Sequence, residues 1–205
     1  MAQFVNLNPS SLRELHVGNE RLVSYNVEMT EVTGGTFWKA YTPAQIAGTE
    51  PFVLKGGFLG NATASTDLMQ YYDPIDLSDK KLRKLAKEIG PAWVRVSGTW
   101  STKTYYDFDG HTNGVVPEGY NAILTREQWL GVLDFCKDIG AKLLISVADC
   151  EGLHHADEPW NPSQAEQIFA LSKEYGKAID AAEFVNEPNG LISIELKNIG
   201  SIENR

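Results

Sequence analysis

One pattern recurs three times in the middle of the chain: an amphipathic helix, a glycine that stops it, and an apolar strand. From Ser78 to Ile89, Leu82, Leu85, Ala86 and Ile89 fall at helical spacing, which predicts a helix with one apolar face. Gly90-Pro91 ends it, and Ala92-Trp-Val-Arg-Val-Ser97 reads as a strand. From Thr125 to Ile139 the pattern repeats, with Trp129, Val132, Leu133, Cys136 and Ile139 on one face. Thr125 and Gln128 make a capping-box pair, and Gly140 sits at the C-terminal cap. Residues 142–148 form the next strand. Asn161-Pro162 opens a third helix with an N-cap and a first-turn proline; it runs through Ile168, Phe169 and Ser172 to Gly176. A strand at 181–185 follows, and an earlier one at 22–28 precedes the series.

Strands alternating with helices imply an α/β fold with a parallel sheet and right-handed crossovers. Two architectures compete: a doubly wound open sheet and a β/α (TIM-type) barrel. No glycine-rich phosphate turn follows the first strand, which weakens the nucleotide-binding version. In a barrel, functional groups sit where strands end, and those positions hold Glu28, Thr99, Asp149 and Glu187, all polar. A full barrel has eight strands and this pattern supplies about four, so about the first half is expected. Such a half exposes sheet edges, which invite self-association. Residues 1–17 stand outside the repeat, and Gln3 to Leu7 alternates like an edge strand. Residues 18–189 carry the β/α pattern, and 190–205 form an atypical tail. About 50 residues separate the first strand from the first helix, and about 25 the second strand from the second helix; connections of that length signal function or disorder.

A net charge of −9 argues against nucleic-acid binding, which needs clustered Lys and Arg. No run of about 18 apolar residues exists, so no membrane-spanning helix is expected. The N-terminal residues lack the basic region and apolar core of a signal peptide. A complete chain would therefore stay in the cytoplasm; an extracellular or periplasmic one would need a signal from elsewhere. Cys136 and Cys150 read as unpaired thiols. Asn61-Ala-Thr63 matches a glycosylation sequon.

The chemistry concentrates in Glu183-Phe-Val-Asn186-Glu187-Pro-Asn189, a short apolar strand ending in Asn-Glu-Pro. A carboxylic acid at a strand mouth, beside an amide, suits protonation of a glycosidic oxygen. Upstream lie Tyr71-Tyr-Asp-Pro-Ile-Asp-Leu-Ser78, then Leu82 to Trp100 ending in Val94-Arg-Val-Ser-Gly-Thr99-Trp100, and Trp160-Asn-Pro-Ser163. Together these stretches make most of residues 3–189 resemble the heparanase and β-glucuronidase family (family 79) of retaining glycoside hydrolases in the β/α-barrel clan. The resemblance implies that Glu187 is the general acid/base. It implies that Asn186 bonds the 2-hydroxyl of the sugar, and that Thr99 and Glu28 are substrate contacts. At Glu28 the mammalian enzyme would have Asp. It also implies a carbohydrate partner, a glucuronide or a glycosaminoglycan-like chain. The family's nucleophilic Glu lies on a later strand that nothing here matches, and its β-sandwich, built partly from the N-terminal segment, is absent. A truncated hydrolase is therefore expected; the alternative is a non-catalytic half-barrel that binds carbohydrate or assembles with another chain. The acid of such a pair starts protonated, kept so by burial and a nearby negative charge.

No cofactor and no metal are expected. His154-His155 are adjacent, so their side chains diverge, and they lack zinc-ligand spacing; with Asp149, Glu151 and Asp157 they read as a loop lining the cleft. Lys80-Lys-Leu-Arg-Lys84 reads as a solvated helix face. Trp100, Tyr105, Tyr106, Phe108 and Tyr120 crowd one long connection, where they would serve as platforms for sugar rings or cover the barrel mouth.

Overall fold

A computed structural model describes residues 5, 8–51, 69–154 and 160–187. The fold is mixed α/β. Its central element is a four-stranded, fully parallel sheet of β1 (Val23–Glu28), β4 (Ala92–Ser97), β7 (Lys142–Ser146) and β8 (Ala181–Glu183), in that order. Between β1 and β4 lie α1 (Met29–Thr33), β2 (Gly35–Trp38), α2 (Pro43–Ile46), β3 (Met69–Tyr72) and α3 (Lys80–Ile89). Between β4 and β7 lie β5 (Thr104–Asp107), β6 (Ala122–Thr125) and α4 (Arg126–Asp138); α5 (Ser163–Glu174) joins β7 to β8.

Spatial order follows chain order, with no reversal among the four described strands. Right-handed crossovers in such a sheet place successive helices on one face. The core bears this out. Val94, Val96, Leu143 and Ile145 of the sheet cluster with Ala86 of α3, Trp129, Val132, Leu133 and Cys136 of α4, and Ile168 and Leu171 of α5. Strand side chains alternate, so β4 and β7 send every second residue into this core and the rest to the opposite face. Trp129 is fully buried, and its indole N–H donates to Ser172 Oγ at 2.9 Å, tying α4 to α5 without orphaning a polar group. Both cysteines are buried.

The helices keep to the expected ranges because their caps are strong. Gln128 N–H donates to Thr125 Oγ1 at 3.2 Å, and Gln128 Oε1 accepts Thr125 N–H at 2.9 Å. Gly90 and Gly140 close α3 and α4 with φ of +93° and +68°. At α5 the helix begins one residue later, at Ser163 after Pro162, while Asn161 still caps it with its side chain, Oδ1 accepting Ser163 N–H at 2.9 Å. The basic face of α3 is not simply solvated. Arg83 bonds Asp134 at 2.8 Å and Lys87 bonds Asp138 at 2.7 Å, clamping α3 to α4.

Two strands end early. The 142–148 run stops at Ser146, because Asp149 N–H turns to the Thr102 carbonyl at 3.0 Å. The last strand stops at Glu183, and Phe184 follows half exposed. The long connections hold structure that periodicity does not predict: an antiparallel β2–β3 ribbon and a parallel β5–β6 pair. Apart from Val5, the expected edge strand at 3–7 lies outside the described residues, as do the sequon at 61–63 and the tail at 190–205. No described helix is long and apolar enough to cross a membrane.

Candidate functional site at the strand ends

Register aligns one residue from each strand at the carboxyl end of the sheet. Glu28 pairs with Ser97, and Ser146 pairs with Glu183. Val96 pairs with Ile145, which brings Ser97 and Ser146 side by side. The row Glu28–Ser97–Ser146–Glu183 therefore lies on the face away from the helices. One step beneath it, Asn26 pairs with Arg95, Arg95 with Leu144, and Leu144 with Ala181.

Arg95 organises the group. Its Nη1 donates to Asn26 Oδ1 at 2.7 Å, and its Nη2 donates to Asn186 Oδ1 at 2.8 Å and to Glu183 Oε1. The Ser97 hydroxyl reaches Glu183 Oε1 at 2.9 Å and touches the Ser146 hydroxyl, which itself donates to Glu183. Burial pushes the Glu183 carboxyl up, but the bonds from Ser146, Arg95 and Ser97 outweigh it and hold the group below its ordinary value. Glu28 goes the other way. Burial raises it, and the negative charges of Glu31 and Glu187 add to that. The bond from Asn26 Nδ2, 2.8 Å long, and the charge of Arg95 only partly compensate.

Gly98 is required where it is. Its φ is +96°, and a Cβ there would come 2.6 Å from Glu28 Cδ, so the carboxylate rests on bare backbone. Thr99 comes next and opens the 3₁₀ turn Thr99–Lys103, its carbonyl accepting the Thr102 hydroxyl at 2.6 Å. Among the described residues no hydrogen bond joins Thr99 to Glu28, Asn186 or Glu187; it belongs to the group through Gly98. Asn186 is buried at 8% exposure, held by Arg95 and, at 3.3 Å, by the Ser97 hydroxyl. Glu187 is exposed rather than buried, because it follows β8, the last strand of the described sheet. Its φ of +47° is left-handed, a conformation uncommon for a residue with a side chain.

The structure thus brings Glu28, Asn186 and Glu187 into one electrostatic neighbourhood. It adds Asn26, Arg95, Ser97, Ser146 and Glu183, which motif reading passes over. Their signal is a polar residue at alternate positions of otherwise apolar strands. Asp149, the remaining strand-end residue, is taken by His154, whose Nε2 lies 2.5 Å from its Oδ1. His155 and Asp157 lie outside the described residues. The crowded aromatics pair mostly among themselves. Tyr105 meets Tyr120 edge-on at 5.0 Å, Trp100 meets Phe37 at 4.9 Å, and Tyr106 stacks on Phe108. Tyr106 is fully buried, so it is core and not a platform for a ring.

No protein-family model matches this chain, and no curated protein matches it.

Proposed function

We propose that this chain is the acid/base portion of a retaining glycoside hydrolase of the heparanase and β-glucuronidase kind, folded as the N-terminal half of a β/α barrel. Its substrate class is uronic-acid-containing glycans or β-glucuronides. The observation that carries the reading is that Arg95 lies beside Asn186 and Glu28, and Glu187 beside Glu28, at the carboxyl ends of four parallel strands. That end is where barrel enzymes place their chemistry.

In this reading Glu187 protonates the leaving oxygen and then takes a proton from the attacking water. Asn186 Oδ1 is occupied by Arg95 and Ser97, which leaves its amide hydrogens to bond a sugar hydroxyl. Glu28, raised above its ordinary value, is suited to share a proton with a bound ring. Glu183 is committed to Arg95, Ser97 and Ser146, which suits a positioning residue rather than a nucleophile. The covalent step needs a second carboxylate about 5–5.5 Å from the first, which the resemblance assigns to a later strand.

A second reading, a non-catalytic unit that binds sugar or assembles with another chain, is favoured by the sheet's outer strands. β1 and β8 each have one partner among the described strands, and Val23 of β1 is half exposed. One set of experiments separates the two. The 205-residue chain is expected not to hydrolyse an aryl β-glucuronide, yet millimolar glucuronide should shift the amide resonances of Thr99, Asn186 and Glu187. Hydrolysis that is lost on Glu187→Gln would place the nucleophile within this chain. Absence of any shift, together with concentration-dependent dimerisation in the ultracentrifuge, would favour assembly over catalysis.

A further inference from the structure

Away from the strand-end row, β5 ends in Asp107 and the chain continues Phe108-Asp109-Gly110-His111-Thr112. Asp107, Asp109 and His111 bring three potential ligand atoms within 4.8 Å of one another. Hydrogen bonds inside the cluster satisfy most of its polar atoms. Asp109 Oδ1 accepts from His111 Nδ1 at 2.5 Å, and Asp107 Oδ2 accepts the Thr112 hydroxyl at 2.5 Å. Asp107 Oδ1 is the exception. Asp107 is 6% exposed, and this oxygen is buried with no hydrogen-bond partner. It faces His111 Nδ1 at 3.4 Å, a nitrogen already held by Asp109. A buried carboxylate oxygen without a donor is costly, and a cation at the centre of the cluster would remove that cost.

We infer that Asp107, Asp109 and His111 form a site for a divalent transition-metal ion of the Zn²⁺ class. Calcium and magnesium take all-oxygen shells, whereas one imidazole nitrogen with two carboxylate oxygens suits zinc and its neighbours. The second shell agrees. His111 Nε2 lies 3.2 Å from the Tyr105 hydroxyl, an oxygen able to accept an Nε2 proton, so that on binding an ion Nδ1 would give up the proton it shares with Asp109 and offer its lone pair. Tyr105 is itself packed edge-on against both His111 and Tyr120. The remaining coordination positions are open to water. A bound ion would join the end of β5 to the exposed loop beyond it, so its role is to order that loop.

The test is titration of ZnCl₂ into the chelator-treated 205-residue chain by isothermal calorimetry. One equivalent should bind, tighter than Ca²⁺ or Mg²⁺. His111→Ala should weaken binding at least tenfold. Its side chain is 57% exposed, so this variant should keep its fold, checked by circular dichroism. Asp107→Asn should weaken binding by a similar factor, and Tyr105→Phe by about tenfold, the lower end of second-shell effects. His154→Ala, which alters the other histidine–aspartate pair, should leave binding unchanged. No binding at 1 mM Zn²⁺ would overturn the inference. So would binding that survives His111→Ala, or a preference for Ca²⁺.

Discussion

The two faces of the central sheet are built from alternate residues of the same strands, yet they do different work. On the helix face Val94, Val96, Leu143 and Ile145 are at most 1% exposed. Each such side chain contributes about 1.5–3 kcal/mol by leaving water. On the opposite face Arg95, Ser97, Ser146 and Glu183 stand one residue away from them in sequence. A hydrogen bond to a charged partner there is worth no more, about 1.5–3 kcal/mol net. The Arg95–Glu183 pair is about one-third exposed on each side, which lowers its net value further. A cheaper way to stabilise that face would be more Val and Ile. The polar row is therefore better explained by what it holds in place, namely Asn186 and the approach to Glu187.

The largest effects should separate the faces completely. In a chain that hydrolyses a glycan with a poor leaving group, Glu187→Gln should lower kcat by about 10²–10⁴-fold, the contribution of a general acid. The same change should leave stability within about 0.5 kcal/mol, as exposed positions usually do. Full activity of that variant would remove Glu187 from the mechanism. On the helix face the pattern reverses. Ile145→Ala should cost about 2–5 kcal/mol in urea unfolding, through lost burial and the cavity left behind. Its neighbour Ser146→Ala should cost less, about 1.5–3 kcal/mol, the value of a hydrogen bond to the charged Glu183. Equal losses at 145 and 146 would break the contrast between the faces.

Gly98→Ala probes the junction of the two roles. Its φ of +96° and ψ of 166° are essentially reserved to glycine, so alanine there costs about 1–3 kcal/mol of backbone strain, and the new Cβ would also push the Glu28 carboxylate from its seat. Stability should fall by about that amount, and the glucuronide-induced shifts at Thr99 and Asn186 should shrink with it. Unchanged shifts would show that the position of Glu28 does not matter for binding.

How far each region was legible follows from the same geometry. The helices could be read because a 3.6-residue period and a capping pair such as Thr125 with Gln128 are local signals. The four central strands could be read as apolar runs between glycines. β2, β3, β5 and β6 could not, because each is four residues long and mixes polar with apolar side chains. At the site, Glu183, Asn186 and Glu187 lie in one contiguous stretch, whereas Arg95, Ser97 and Ser146 meet them only through sheet register. The same applies to Tyr106, whose burial depends on elements far away in sequence.

The smallest effect is also the sharpest test of the row itself, because its two terminal carboxylates are driven in opposite directions. Glu28 is raised, so its neutral form is the one the fold favours. Its contribution is fully present below the ordinary glutamate value of about 4.3 and is lost as pH rises through its higher folded value. Glu183 is lowered. Its contribution is present above about 4.3 and is lost as pH falls through its lower folded value. Glu28→Gln should therefore match the parent at low pH and become slightly more stable as pH rises toward neutrality. Glu183→Gln should be less stable than the parent near neutral pH, with Arg95 left unpaired, and the deficit should narrow as pH falls below about 4. Both differences should stay within about 1 kcal/mol, because the groups are partly exposed. Urea midpoints of the three proteins measured from pH 3 to pH 8 decide it. Opposite signs near neutrality support a row that holds one carboxyl ready to keep its proton and the other charged. The same sign for both would mean that register alone aligns them and that their environments do not differ in kind.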